Sequence, residues 1–492
     1  MRGCLFAPVH ELPAPEPSCV ERPDGGNSPA HAWRGERANE SACLAGISAV
    51  ETRSLHMAPK APRCSHSPSM RCLDSRRRDS FQATLGPRVR SASGASPPTP
   101  EPPHPRRGSG KRALASSGVA LSCPHLPACP GCPRFGAAGP STPTLQQLAE
   151  LCLRNGAQQE LEIGARTGFR HRARLAVRGR AGRPKIGIFA EGSHRVVDIP
   201  SCQIHHPLIN EVGRALKVCM RELGSSCYSD GAHAGLVRAL QVAVERSSQS
   251  AQIMLVCNDQ TPAAALPLLD RLRERLGERV HSTWWNGNAE VTNRILGGAF
   301  HHHSGPASLM ERIGGAQVYF PPAAFGQNNL DLFERMVARI HAHVPPGSEL
   351  VELYAGCGAI GLGLAASCAR LVFNEISPAS LEGLALGVHH LPAEQRSRVR
   401  VVPGPAPAAC PDIQPESVVI VDPPRKGLEP EVLHALGERR PRRLLYLSCD
   451  LGSLLRDAEP LIASGLKLVH TVGYDAFPYT EHIETLAIFQ RD

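Results

Sequence analysis

Four short, mostly apolar runs punctuate the second half of the chain, at residues 350–353, 371–373, 418–421 and 444–447. Each is continuous rather than alternating, which predicts strands buried on both faces, as in a parallel sheet. Helical patterns separate them, so residues 321–492 are expected to form an α/β domain with its ligand crevice at the carboxyl ends of the strands. A polar or glycine-rich segment follows each run: Tyr354 and a glycine-rich turn, Glu375, Asp422 with Pro423 and Pro424, and Ser448-Cys449-Asp450. The reactive side chains of this half therefore gather on one edge of the predicted sheet. The plainer reading of Cys449 is a buried structural thiol, since a free Cys behaves as a small hydrophobe. Its place at a strand end, beside three others carrying complementary groups, argues for a thiol presented to a cleft.

Gly356, Gly358 and Gly361 fit G-x-G-x-x-G and lead into LGLAASCA, which reads as a helix. Such glycines permit a tight turn and the close approach of a nucleotide-like ligand. Glu375 stands where an acid can accept both ribose hydroxyls. No second glycine-rich phosphate site follows, so the adenosine of a methyl donor fits at least as well as a dinucleotide.

Upstream the pattern changes. Residues 119–320 mix short strands (AQIMLVCN, GAQVYF) with an Arg/Glu-rich helix near 261–276, which predicts an α+β middle domain. Between Ile163 and Ala190 stand Arg166, Arg170, Arg172, Arg174, Arg178, Arg180, Arg183 and Lys185, with no acid. A strand would put Arg170, Arg172 and Arg174 on one face. That row suits phosphate contacts, and an ordinary solvated strand face fits nearly as well. His301, His302 and His303 are consecutive and cannot easily converge on one metal. Residues 1–118 are rich in Pro, Ser, Gly and Arg and poor in aromatics, the composition of a disordered tail.

Charge adds little about partners. The chain carries +9 overall, but residues 1–120 alone hold 17 Lys/Arg against 10 Asp/Glu, so most of the excess belongs to the tail. No apolar run is long enough for a membrane span and no secretory signal is evident. Seventeen Cys without such a signal suggest a reducing compartment with a metal site and a reactive thiol rather than a disulfide framework. Cytoplasmic location is the expectation, with organelle targeting a minor alternative.

Cys123, Cys129 and Cys132 are spaced C-x5-C-x2-C within a Pro/Gly loop, and Cys202 in DIPSCQIHHP is the candidate fourth ligand. Four thiolates suit an iron–sulfur cluster or a structural zinc, and a C-x2-C redox pair is a third option; the spacing alone does not separate them.

Five ordered motifs complete the picture: FGQNN (325–329), ELYAGCG, DPPRKGL, YLSCD and DAFPYTEHIE. Together they resemble the class I S-adenosylmethionine-dependent RNA 5-methyluridine methyltransferases, the family of the tRNA and 23S rRNA uracil-5 enzymes, over roughly residues 121–492. The resemblance implies a Rossmann-like methyltransferase domain, with Gln327, Tyr354, Gly356, Gly358, Glu375 and Asp422 around S-adenosylmethionine. It makes Cys449 the nucleophile, Glu484 the base, and Cys123, Cys129, Cys132 and Cys202 the ligands of a [4Fe-4S] cluster in preference to zinc. The implied partner is rRNA or tRNA, handled by a monomer with no membrane association.

Uracil C5 is a poor nucleophile, so a thiolate must first add to C6 before C5 can attack a sulfonium methyl. A base must then remove the C5 proton, a task suited to a carboxylate with its pKa raised in a dry site. Arg425 is a weaker candidate for orienting the base or its phosphate. Asp450-Leu451 stands where the family usually has Asn-Pro, and Ala359 where many members have Asn. The first 118 residues do not resemble the family's N-terminal RNA-binding barrel, which leaves RNA grip to the middle domain. Two other readings are a methyltransferase acting on cytosine or an amino group, and a non-catalytic iron–sulfur RNA-binding protein.

Overall fold

Alternating and continuous apolar patterns sort into two sheets in the computed structural model, which describes residues 122–491; the expected disordered tail lies outside the described residues. In chain order the elements begin with α1 (Thr142–Asn155), β1 (Gln158–Ile163), β2 (Arg172–Arg180), β3 (Arg183–Phe189), β4 (Val196–Asp198) and α2 (Pro207–Glu222). There follow β5 (Val237–Val244), β6 (Ala251–Cys257), α3 (Leu266–Leu276), β7 (Val280–Gly287), β8 (Ala299–Ser304), β9 (Leu309–Ile313) and β10 (Ala316–Phe320). Next come α4 (Leu330–Ala342), β11 (Glu349–Leu353), β12 (Arg370–Glu375), α5 (Pro378–His389), α6 (Ala393–Arg396) and β13 (Val399–Pro403). The chain closes with β14 (Val418–Val421), α7 (Pro430–Arg439), β15 (Arg443–Ser448), α8 (Leu451–Ala463), β16 (Leu466–Asp475) and β17 (Glu484–Arg491).

The first sheet runs β4-β3-β2-β5-β6-β7-β8. It is antiparallel except for β6 and β7, which the α3 crossover joins in parallel. Leu175, Val177, Leu240, Val242, Ile253, Leu255 and Trp285 form its covered face, packed with Ile209, Val212 and Leu216 of α2 and Leu269 and Leu272 of α3. Arg172 and Arg174 share the opposite face, as the period of two requires. That face is not a free basic row, however. The Arg172 guanidinium lies 4.3 Å from the Phe320 ring centroid, and a Cβ on Gly326 would come within 2.6 Å of its Cζ. Arg174 is exposed and donates through Nε to Gln241 Oε1 at 2.6 Å. Arg170 precedes β2 and bridges to His205 and Asn329. The three histidines lie on β8 and diverge: His302 packs on Trp284 at 4.5 Å and His303 pairs with Asp270 at 2.8 Å.

The second sheet runs β1-β16-β17-β15-β14-β11-β12-β13. The five strands β15, β14, β11, β12 and β13 are mutually parallel; β17 is antiparallel to both β15 and β16. The order reverses between β12 and β14, which flank β11, so the turn after β11 occupies the switch point where open α/β sheets bind ligands. Residues 444–447 are wholly buried, and each such apolar side chain contributes about 1.5–3 kcal/mol.

Two segments depart from the sequence reading. α1 and β1 belong to this second sheet, with β1 pairing in parallel along β16 from Gln158↔His470 to Ile163↔Asp475. LGLAASCA is not an α-helix but a single 3-10 turn at Leu362–Leu364. Close packing explains it: a Cβ on Gly363 would lie 2.2 Å from the Gly314 carbonyl oxygen, and His341 Nε2 engages the Ile360 carbonyl at 2.7 Å. A regular helix would need both the space and that carbonyl.

Candidate active site

Antiparallel pairing of β15 with β17 sets Ser448 opposite Thr485. One residue beyond that pair, at the same end of the sheet, stand Cys449 and Glu484. On the other side of β15, Val421 pairs with Tyr446, so Asp422 leaves β14 at the same edge. The three groups perturb one another. Burial pushes the Cys449 thiol up to about 11, with Glu484 and Asp422 adding to the rise and Arg425 opposing it. Burial, then Asp422, holds the Glu484 carboxyl well above the usual range, again against Arg425. Burial likewise raises Asp422. Glu484 is 1% exposed and its Oε1 has no hydrogen-bond partner among the described residues. A desolvated, unpartnered carboxyl oxygen next to a half-buried thiol is a costly arrangement for a structural role.

The surrounding loops are pinned. Asp450 caps α8, its Oδ1 accepting from the Ser453 N–H at 2.9 Å. Ser453 Oγ donates to the Arg425 carbonyl at 2.7 Å, tying the Pro423-Pro424-Arg425 turn to the thiol loop. The buried Asp457 carboxylate accepts from Tyr446 Oη at 2.7 Å and from Leu428 N–H at 2.8 Å. Asp450 is therefore a working helix cap where an Asn is usual.

The glycine turn carries the second group of predicted residues. Gly356 has φ 56° and a Cβ there would meet nothing within 4 Å, so the turn is open toward the crevice. Gly358 has φ 76° and its Cβ would crowd Leu384 at 2.7 Å, so glycine is needed there for packing. Glu375 accepts from Gly356 N–H at 2.7 Å through Oε2, and from Ile376 and Ser377 N–H at 2.9 and 2.6 Å through Oε1. Oε1 is thereby filled by two donors, and Oε2 keeps a second lone pair to offer. Tyr354 is itself left-handed, φ 59°, and donates its hydroxyl to Glu429. Gln327 lies partly exposed in the segment before α4, beside Phe325, whose ring is 66% exposed.

Sequence reasoning missed Glu352 and Glu429. Glu352 is fully buried beneath the glycine turn, and burial, then Asp422, raises its pKa well above the usual range. An acid inside an otherwise apolar run was its signal. Nothing in the local pattern marks Glu429 as the partner of Tyr354.

The cysteine loop has no helix or strand from residue 122 to 141. Among the described residues, no three His, Cys, Asp or Glu side chains are grouped to hold a single metal ion. The four thiols are nonetheless electrostatic neighbours: Cys132 is pushed up to about 12 by burial first, then by Cys202, Cys129 and Cys123. Arg170 is an electrostatic neighbour of Cys202 and Cys132, and its Nε is buried without a partner among the described residues. A cleft of about 390 Å³ opens beside Cys129 and Cys132.

Comparison with known proteins agrees with this geometry. A family model described as tRNA (Uracil-5-)-methyltransferase matches residues 412–492, the stretch holding Asp422, Cys449 and Glu484. An uncharacterized RNA methyltransferase of Protochlamydia amoebophila is 35% identical over 381 residues, 76% of this chain and 99% of that protein. Another, of Parasynechococcus marenigrum, is 30% identical over 71% of this chain and 79% of its own length. In fold the chain is similar to the Pyrococcus abyssi tRNA (uracil-54, C5)-methyltransferase crystallised with S-adenosyl-L-homocysteine, with TM-score 0.58, 20% identity, and coverage of 74% of this chain and 86% of that one. With a relative of 35% identity matched over nearly its whole length and the signature residues at one sheet edge, the chain belongs to the RNA 5-methyluridine methyltransferase family.

Proposed function

We propose that this protein methylates C5 of a uridine in RNA, using S-adenosylmethionine. The observation that carries the reading is the pairing of β15 with β17, which brings a thiol and a buried, unpartnered carboxyl to adjacent strand ends. Cys449, as thiolate, adds to C6 of the uracil and shifts electron density onto C5 and O4. When bound, S-adenosylmethionine supplies the electrophilic methyl that C5 takes up. The Glu484 carboxylate then removes the C5 proton, the electrons reform the C5–C6 double bond, and the C6–S bond breaks to return the thiolate. Arg425 favours the ionised forms of both Cys449 and Glu484, the forms that the two steps consume.

The methyl donor's adenosine fits the switch point, with the open turn at Gly356 against it and the free lone pair of Glu375 Oε2 available to the ribose. Tyr354, Gly358 and Asp422 complete that wall, and Gln327 closes it from the segment before α4. The exposed Phe325 ring suits stacking on a base turned out of its RNA, and the middle sheet supplies further grip.

Cys123, Cys129, Cys132 and Cys202 would hold a [4Fe-4S] cluster. The donor chemistry supports this: four soft thiols that are electrostatic neighbours, and a buried, unpartnered Arg170 Nε on a guanidinium coupled to Cys202 and Cys132. A brown anaerobic preparation that contains iron and bleaches on chelation is the expected result; a colourless protein holding zinc would remove the assignment.

The decisive experiment incubates the full chain with S-adenosylmethionine and 5-fluorouridine-substituted tRNA or rRNA fragments. Fluorine cannot leave as a proton, so a methylated RNA–Cys449 adduct should survive a denaturing gel and be located by mass spectrometry. Donor binding without any adduct would move the reading to another acceptor atom.

A further inference from the structure

We propose that Arg134, Phe135 and Arg166 are positioning residues for the catalytic base: they clamp Tyr479 and through it set the direction from which the chain enters Glu484. The proposal rests on Glu484 being the base of the elimination step.

The loop between β16 and β17 carries Tyr479 five residues before Glu484. Its backbone is left-handed, φ 69°, which is unusual for a bulky non-glycine residue and persists only where the surroundings over-determine it. Those surroundings come from a segment some 340 residues earlier in the chain. Arg134 N–H donates to the Tyr479 carbonyl at 3.0 Å. The Arg134 guanidinium donates through Nη1 to the Thr480 carbonyl at 3.2 Å and the Gly139 carbonyl at 3.3 Å, and through Nη2 to the Pro140 carbonyl at 3.3 Å. Phe135 lies 4.8 Å from the Tyr479 ring, tilted by 43°. The Arg166 guanidinium sits 4.7 Å from the centroid of the same ring. It is held by Asp475 Oδ2 and the Ala137 carbonyl, each at 2.5 Å.

Tyr479 is 1% exposed, yet its hydroxyl has no partner among the described residues. The residue is thus used for its ring and its backbone, not for its hydroxyl. Inside the loop, Thr480 Oγ1 donates to the Phe477 carbonyl at 2.8 Å and accepts from His482 N–H at 3.2 Å, so displacement of Tyr479 is carried along a tight turn toward β17. Glu484 needs such support because its Oε1 has no hydrogen bond to fix it. Proton removal from C5 depends on where that carboxylate points, whereas thiol addition feels only its charge on Cys449. The clamp should therefore act chiefly on the last step.

The test uses the full chain with unmodified uridine RNA and labelled S-adenosylmethionine, reading first-turnover methyl incorporation and the covalent adduct separately. Arg134→Ala and Arg166→Ala should form the methylated adduct within twofold of the native rate and release it about 10–100-fold more slowly, so that the adduct accumulates on denaturing gels. Tyr479→Phe keeps the ring and should match the native protein. Tyr479→Gly accepts the left-handed backbone without strain and removes the ring, so it should fold and also accumulate adduct; it carries the test if an arginine variant is insoluble. Native release rates in these variants, or adduct formation and release slowed by the same factor, would overturn the proposal. A native protein that methylates unmodified RNA but gives no adduct with 5-fluorouridine RNA would overturn the elimination reading and the clamp together, whereas normal turnover in all variants overturns the clamp alone.

Discussion

Cys449 stands one residue beyond a strand whose neighbours on both sides are fixed by backbone hydrogen bonds, so its place follows from the registers of β14, β15 and β17. Cys123, Cys129 and Cys132 lie in a segment with no regular structure, and Cys202 reaches them from just after β4. The first thiol is aimed by a buried sheet; three of the other four lie in a loop whose far end is tied to residues 479–481. A sheet edge aims one reactive group with few residues, while a loop can bring several donors together only when distant parts of the chain hold it.

The contrast can be broken from its catalytic end first. Glu484→Gln should lower turnover by about 10²–10⁴-fold, the usual contribution of a general base. The methylated adduct should persist, as seen on a denaturing gel; loss of adduct as well would mean that Glu484 acts before methyl transfer. Next in size is the support of the strand. Leu447→Ala, in a wholly buried position, should cost about 2–5 kcal/mol of stability, read as a lower urea unfolding midpoint. Alkylation of Cys123 and Cys129 in the folded protein should be unchanged by it, since the loop does not depend on β15. The smallest effect concerns protonation. With its pKa pushed up to about 11, the Cys449 thiol should be labelled by iodoacetamide about tenfold faster per pH unit from about pH 8 to about pH 10, as thiolate replaces thiol. Removing the Glu484 charge should move that curve to lower pH and removing Arg425 to higher pH, followed on the Cys449 peptide by mass spectrometry. A curve unmoved by either change would show that burial alone sets the shift.

Much of the reactive edge was legible because parallel strands read as continuous apolar runs and their polar termini then fall at one end of the sheet. Glu375, Asp422 and Cys449 all followed from that rule. β1 was not legible: QQELEI alternates only at Leu161 and Ile163, both exposed, and it joins the second sheet through backbone pairing with a strand far away in sequence. LGLAASCA carries helix-forming residues, but the contacts of Gly361 and Gly363 with Glu352 and Gly314 override that local preference. The arginine row was right in its face and wrong in its surroundings, because Phe320 and Gly326, which cover Arg172, come from nearly 150 residues downstream. Tyr479 stands inside the DAFPYTEHIE motif, but its role was not legible, since a left-handed backbone is invisible in a tyrosine.

The β1–β16 pairing has a further consequence for how this protein is made. The two strands are about 310 residues apart, so at the usual 5–20 residues per second, the ribosome takes roughly 15–60 s to deliver the partner of β1. Throughout that interval β1 and the helix before it have no sheet to join, and α1 keeps Leu148 and Leu151 without the core that buries them. The first described helix and strand of the polypeptide are thus among the last to find their place, and a nascent chain stalled before β16 would carry an uncovered apolar helix as a target for chaperones or proteases.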